Sequence, residues 1–162
     1  VPEINSRFHS DALEVFGDLN IGIGTALGKD GLVVPVMRKV QDLDLFSIAQ
    51  RLGELLERAR SGKLDAADVR GGTFTITNHG VSGSLFATPI INQPQCAILG
   101  VGKLERRPGV VTIEGVEQVR VLPKCFVSLT IDHRAIDGFQ ANSFLAAWVA
   151  CLAGWPMEPK GS

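Results

Sequence analysis

The sequence predicts an α+β domain whose core is a mixed β-sheet with flanking helices. Three observations carry that expectation. Apolar residues fall at helical spacing through 45–61, alternating β-branched runs lie on either side of that stretch, and a second apolar helix pattern follows the last run. The order strands, helix, strands, helix contains no internal repeat or low-complexity tract, and it fits a single domain over residues 1–162.

After a polar opening, Leu19 to Ala26 alternates apolar and small residues, and Leu32 to Met37 follows a Gly28-Lys29-Asp30-Gly31 turn, which reads as two strands of a hairpin. Pro35 has no N–H to give a ladder, so the second strand belongs at a sheet edge or a bulge. Leu45, Ile48, Ala49, Leu52, Leu55, Leu56 and Ala59 form the apolar stripe of an amphipathic helix, with Asp44 placed to cap its start and Gly62 to close its end. Thr73 to Thr77 is β-branched and alternating, and Asn78-His79-Gly80 ends it with turn residues. Thr88 to Pro94 is limited in pairing by Pro94, and Cys96 to Val101 reads as a buried strand. Val110 to Ile113 and Val119 to Leu122 flank Glu114–Glu117 as a hairpin. Cys125 to Ile131 is a strand that runs directly into Asp132–Gly138, and a helix follows from about Gly138 to Gly154 and Pro156.

Composition excludes several classes of function. With 45% hydrophobic residues the chain can bury a core, and 16 Lys+Arg against 17 Asp+Glu leave a net charge of −1 with no run of like charges. A nucleic-acid-binding arm is not expected. The longest apolar runs fall far below the roughly 18 residues of a membrane span, so no membrane partner is expected either. Cys96, Cys125 and Cys151 are odd in number and widely spaced, which predicts a reduced intracellular compartment and no metal site.

Two glycine motifs lack their context. Gly22-Ile23-Gly24-Thr25-Ala26-Leu27-Gly28 leads into a strand, whereas a pyrophosphate cradle needs a helix whose first N–H groups face the anion. Gly80-Val81-Ser82-Gly83-Ser84 lacks the last glycine of a nucleophile elbow, and no helical pattern follows it. His133 differs: it stands where a strand ends and before a helix begins, so its imidazole can face a cleft while the strand holds its backbone. Imidazole titrates near neutrality and is a competent base there. Asp137, with Gln140 three residues on, has the spacing of a helix capping box. Thr77 offers a hydroxyl at a loop rim beside glycines, while His9 and His79 lie in polar stretches with little to single them out.

Asp132-His133-Arg134-Ala135-Ile136-Asp137-Gly138 resembles the DHRxxDG signature of the catalytic domain of 2-oxo acid dehydrogenase dihydrolipoamide acyltransferases, the E2 components, whose fold is that of chloramphenicol acetyltransferase. Gly31 to Arg38, Gly71 to Asn78, Thr88 to Gln95 and Ala97 to Gly100 resemble further blocks of the family in the same order, so the resemblance spans the chain from Pro2 to the last helix. It implies that His133 is the catalytic base, that Asp137 orients the site, and that Thr77 donates a hydroxyl to the oxyanion. Phe86, Pro89 and Arg134 are placed near substrate by the same analogy. The implied reaction is acyl transfer between dihydrolipoamide and coenzyme A, with the lipoyl group carried on another domain and no metal. The wording around Gly83–Phe86 and Thr88–Asn92 resembles the succinyl-transferring members.

The family's architecture implies a homotrimer with the site between neighbouring copies, His133 of one chain facing Thr77 of the next. Such trimers associate into a larger core served by the E1 and E3 components, in bacterial cytoplasm or the mitochondrial matrix. It also implies that further catalytic-domain chain, and lipoyl and peripheral-subunit-binding domains, precede the position of Val1. Two other readings stay open at this stage: a core-assembly scaffold without turnover, and a stand-alone CoA-dependent acetyltransferase.

Overall fold

The computed structural model describes residues 1–155; Pro156 lies outside them. Ten strands and two α-helices form its architecture. The chain opens with a short hairpin, β1 (Ser6–Phe8) and β2 (Leu13–Val15), paired Ser6 to Val15. The main sheet contains β3 (Ile21–Ala26), β4 (Leu32–Val33), β5 (Val36–Met37), β6 (Phe74–Asn78), β7 (Ala97–Val101) and β10 (Val127–Ile131), in the order β10-β7-β6-β3-β4 with β5 also on β3. β3, β6 and β7 run parallel while β10 and the β4–β5 segment run antiparallel to their neighbours, so the sheet is mixed as expected. β8 (Glu105–Ile113) and β9 (Val116–Lys124) form a separate two-stranded ribbon.

Proline chemistry divides the expected second strand. β4 and β5 hold one continuous register against β3 (Ala26 to Leu32, Ile21 to Met37), and the Pro35 carbonyl still accepts from the Ile23 N–H at 2.9 Å. Pro35 has no N–H to return, so the ladder breaks there, at the edge of the sheet.

The helix α1 (Leu45–Arg60) begins at Asp44, whose carboxylate accepts from the Ser47 N–H at 2.7 Å, and it ends before Gly62 at φ +67°. That is the αL position a β-carbon disfavours. Its buried stripe runs through Leu55 and Ala59, whereas Leu45, expected on that stripe, is exposed. The parallel β3–β6 pair requires a long crossover, which α1 provides. The second helix, α2 (Gly138–Ala153), packs Phe144, Leu145 and Trp148 against a core of Ile4, Phe74, Cys96, Ala97, Leu99 and Ile136, with the Phe74 and Phe144 rings 5.8 Å apart.

Three segments differ from the sequence expectation. The polar opening is the β1–β2 hairpin, whose three-residue strands are too short for alternation to register. Thr88 to Pro94 forms no strand. The hairpin after β7 is longer than its apolar residues suggest: Arg106, Pro108 and Pro123 interrupt the pattern, yet cross-strand pairing carries it from Glu105–Lys124 to Ile113–Val116. Glu114 and Gly115, at φ 51° and 80°, make the two-residue turn whose left-handed residues match strand twist.

Candidate active site

One row of the sheet brings four small residues side by side. Gly24 of β3 pairs with Thr77 of β6, Thr77 with Gly100 of β7, and Gly100 with Ser128 of β10. Residues paired across a ladder share a face, so Thr77 and Ser128 point to one side with a bare glycine beside each. A β-carbon on Gly24 would stand 2.8 Å from Thr77 Oγ1, and one on Gly100 would stand 3.2 Å from the Pro89 ring. The missing side chains keep the Thr77 hydroxyl open. Ser128 Oγ donates to the Ala87 carbonyl at 2.7 Å, which ties the segment carrying Phe86 and Pro89 to this row. Phe86 is exposed and Pro89 half-buried. The roles of Gly24, Gly100 and Ser128 were not legible in the sequence, because only strand register aligns them.

Thr77 also contributes to a cleft of about 810 Å³ between α1 and the sheet, lined by Ile23, Ile76, Leu52 and Leu56 among others. Its size lies within the range of small-molecule sites. His79 lines the same cleft, and its Nδ1 is buried without a hydrogen-bond partner among the described residues. His9 pairs with Glu14 across the β1–β2 hairpin at 3.0 Å.

His133 is exposed on the turn between β10 and α2. Both ends of that turn are fixed. At its start, the Asp132 N–H donates to the Cys96 carbonyl at 2.7 Å, and the Asp132 carbonyl accepts from Ala135 and Ile136 N–H at 2.9 and 3.0 Å. At its end, Asp137 and Gln140 exchange two bonds in a complete capping box, 2.8 and 2.9 Å, as their spacing predicts. Ile136 is 1% exposed and anchors the middle of the turn in the core.

Arg134 is engaged within the chain. Its Nε and Nη2 donate to the Asp132 carboxylate at 2.9 and 2.6 Å, and its guanidinium carbon lies 4.7 Å from the centre of the Phe8 ring. The hydrogen bond from Arg134 holds the Asp132 carboxyl below its usual range, burial opposing it, and the same bond raises Arg134.

The two halves lie apart within one chain. Thr77 is level with Ser128, and five residues separate Ser128 from His133. At about 3.3 Å per residue the strand runs roughly 10 Å from Ser128 to Ile131, and the turn carries His133 past its end, with two strand spacings of about 4.8 Å across it. Thr77 and Pro89 are together at one end of the sheet, while His133, Arg134 and Asp137 are together at the other. Among the described residues no group of His, Cys, Asp and Glu is arranged to hold a metal ion, and no helix is long and apolar enough to cross a membrane.

The mixed sheet with both helices after strands of that sheet is a chloramphenicol acetyltransferase-like fold, carrying a hydroxyl among glycines at one end and an exposed histidine turn at the other. The chain belongs to the family of 2-oxoacid dehydrogenases acyltransferase (catalytic domain), whose model matches residues 1–158. A dihydrolipoyllysine-residue succinyltransferase component of the 2-oxoglutarate dehydrogenase complex from Rickettsia bellii is 44% identical over 147 residues, 90% of this chain and 35% of that protein. The crystal structure of a probable dihydrolipoamide acetyltransferase from Listeria monocytogenes superposes with a TM-score of 0.87 at 38% identity, covering 99% of this chain and 66% of the other. The dihydrolipoamide acetyltransferase of Azotobacter vinelandii, solved to investigate a serine, a histidine and an asparagine in its catalytic mechanism, gives 0.83 at 39% identity, with coverage of 94% and 62%. The cubic core of the pyruvate dehydrogenase multienzyme complex gives 0.83 at 38%, with the same coverage. The chain thus spans about a third of the curated relatives it matches and about two thirds of the solved chains.

Proposed function

We propose that this chain is the acyl-transferring core of a dihydrolipoamide acyltransferase that passes an acyl group, succinyl as in the Rickettsia relative, between dihydrolipoamide and coenzyme A. The observation that carries the proposal is the strand register, which separates an open hydroxyl at Thr77 from an exposed imidazole at His133. A site using both is completed by a second copy of the chain. Assembly into a multienzyme core, as in the cubic core of the pyruvate dehydrogenase complex, supports that arrangement, and closed trimers of this chain would bring the two ends face to face. E1 and E3 components would then load the lipoyl group and reoxidise it. The four-residue spacing of His133 and Asp137 equals that of the histidine and asparagine studied in the Azotobacter enzyme, which supports His133 as the reacting residue.

The chemistry needs no covalent acyl-enzyme. A thiol with a pKa of about 8.5 is mostly protonated at neutral pH, so neutral His133 takes the proton of the coenzyme A thiol as its sulfur attacks the thioester carbonyl of the acylated dihydrolipoamide. The carbonyl π electrons move to oxygen, and the Thr77 hydroxyl of the neighbouring copy donates to that oxyanion. Collapse re-forms the carbonyl, breaks the bond to the dihydrolipoamide sulfur, and returns the proton from His133 to the leaving thiolate. Asp137 serves by fixing the start of α2, and hence the far end of the turn, through its capping box. Holding both thiols at one site converts an intermolecular encounter into a placed reaction.

The test is transfer between succinyl-CoA or acetyl-CoA and dihydrolipoamide by the assembled full-length protein. His133→Ala is expected to abolish transfer with assembly intact. Thr77→Val is expected to lower kcat by roughly 100- to 1000-fold with little change in KM, the usual effect of losing one oxyanion donor. Normal turnover by His133→Ala would overturn the proposal.

A further inference from the structure

We infer that Asp132, Arg134 and Phe8 form a clamp that positions His133, and that Arg134 acts through this clamp rather than by touching substrate. The inference rests on His133 being the base and adds how its direction is set. His133 has no hydrogen-bond partner of its own among the described residues, so its placement depends on the backbone that carries it. Asp137 and Gln140 hold the far end of the turn. The near end is held by side chains on both sides of His133 in sequence.

Asp132 and Arg134 flank His133 and reach each other around it. Asp132 Oδ1 accepts from the Arg134 backbone N–H at 3.1 Å and from Nε at 2.9 Å, and Oδ2 accepts from Nη2 at 2.6 Å. Three donors on one carboxylate close a small ring through residues 132–134, which leaves the His133 backbone little freedom to rotate. The guanidinium carbon lies over the Phe8 ring, 4.7 Å from its centre, within cation–π range. Phe8 is itself fixed. It ends β1, whose fully buried Ser6 accepts the Cys96 N–H through its carbonyl at 3.1 Å, and the Cys96 carbonyl accepts the Asp132 N–H at 2.7 Å. A closed path therefore runs from Phe8 through β1, Cys96, Asp132 and Arg134 back to Phe8.

Phe8 and Leu13 of the β1–β2 hairpin pack against the core, and this path gives the hairpin a second role at the turn. The hairpin pairs with the rest of the fold by a single bridge, Arg7 to Gln95. What it presents to the turn is one aromatic face. Asp132 takes the Nε–Nη2 edge of the Arg134 guanidinium and balances its charge, while Nη1 makes no hydrogen bond among the described residues and the side chain is 65% exposed, so the KM for coenzyme A is what separates a clamp from a substrate contact.

The experiment compares Arg134→Met, Phe8→Leu and Phe8→Tyr with the parent protein in full-length assemblies, measuring kcat and KM for both thiol substrates, with His133→Ala alongside. Met keeps the stem of Arg134 and removes the fork; Leu keeps Phe8 apolar and removes the ring face. Arg134→Met and Phe8→Leu are expected to lower kcat by roughly 10- to 100-fold, the scale of a sub-ångström to 1 Å misplacement, with KM within about twofold. Phe8→Tyr keeps the ring and is expected to retain parental kcat. A raised KM for coenzyme A with kcat unchanged in Arg134→Met would make Arg134 a substrate contact and overturn the clamp. Parental kcat in Phe8→Leu would overturn it as well, and this variant decides the matter if Arg134→Met fails to assemble. An inactive His133→Ala beside unaffected clamp variants defeats the clamp alone, whereas an active His133→Ala defeats the catalytic reading and the clamp together.

Discussion

Two inactive variants of this chain should restore each other. Thr77 is level with Ser128, and His133 lies on the turn past the end of β10, beyond roughly 10 Å of strand, with two strand spacings between, so no side-chain rotation joins them in one copy. If the site is shared between neighbours, a copy carrying His133→Ala still offers a sound Thr77, and a copy carrying Thr77→Val still offers a sound His133. In a closed ring of randomly mixed, equally abundant copies, half of the neighbours on each side are sound, so about a quarter of the sites are complete whatever the number of copies. The assay is steady-state transfer by assemblies refolded from an equal mixture, compared with each variant refolded alone. Homogeneous His133→Ala is expected to show none, homogeneous Thr77→Val roughly 0.1–1% of parental kcat, and the mixture about 25%. A mixture no more active than the mean of its two components, with co-assembly established by mass, would refute a shared site and with it the reasoning from register.

Gly24→Ala should displace the Thr77 hydroxyl, since its β-carbon would stand 2.8 Å from Oγ1; kcat should fall while assembly mass is unchanged. Ile136→Ala removes a side chain 1% exposed at the centre of the His133 turn and should cost about 2–5 kcal/mol in chemical denaturation. Asp137→Ala should cost about 0.5–2 kcal/mol through loss of the α2 cap, with Asp137→Asn recovering most of that stability because asparagine also caps. The Asp132 carboxyl is lowered chiefly by its bond to Arg134, so the stability it contributes is complete above the ordinary carboxylate range near 3.9 and is lost as pH falls through the lower folded value. Asp132→Asn should therefore be less stable than the parent at neutral pH and lose less on acidification below about pH 4, by an amount kept small by the solvent around Arg134.

The sequence exposed those features whose cause is local. The cap at Asp44, the capping box of Asp137 and Gln140, the stop at Gly62 and the interruption at Pro35 each follow from one residue's chemistry acting within a few positions, and each is found in the structure. β6 was legible from its alternation, and β7 from a continuous apolar run because it is buried at nearly every position. What stayed hidden depends on register between distant segments. Gly24, Thr77, Gly100 and Ser128 span more than a hundred residues of chain and meet only because β3, β6, β7 and β10 pair as they do. The same holds for Arg134. Beside His133 it reads as a cation available to substrate; only the fold brings Phe8 beneath it. The β1–β2 hairpin escaped notice because three residues carry too little pattern, and both its core packing and its contact with Arg134 are made with distant segments.

The strand order also sets the sequence of events during synthesis. β3 leaves the ribosome before its partner β6, which begins about fifty residues later, and β10, which closes the far edge, ends at Ile131. At 5–20 residues per second, β3 waits on the order of ten seconds before the sheet it belongs to can be complete. Until α1 is out, about 35 residues after β3, the face bearing Ile21 and Ile23 lacks the helix that walls its cleft, and until β6 it lacks its parallel partner. His133 leaves the exit tunnel two residues after the closing strand, so its turn is shaped only once the sheet that must hold it exists, and a nascent chain interrupted before that point carries an open edge. Cells making this protein rapidly should accordingly depend on chaperones that bind unfinished apolar strands, and should need them least once residue 131 is free.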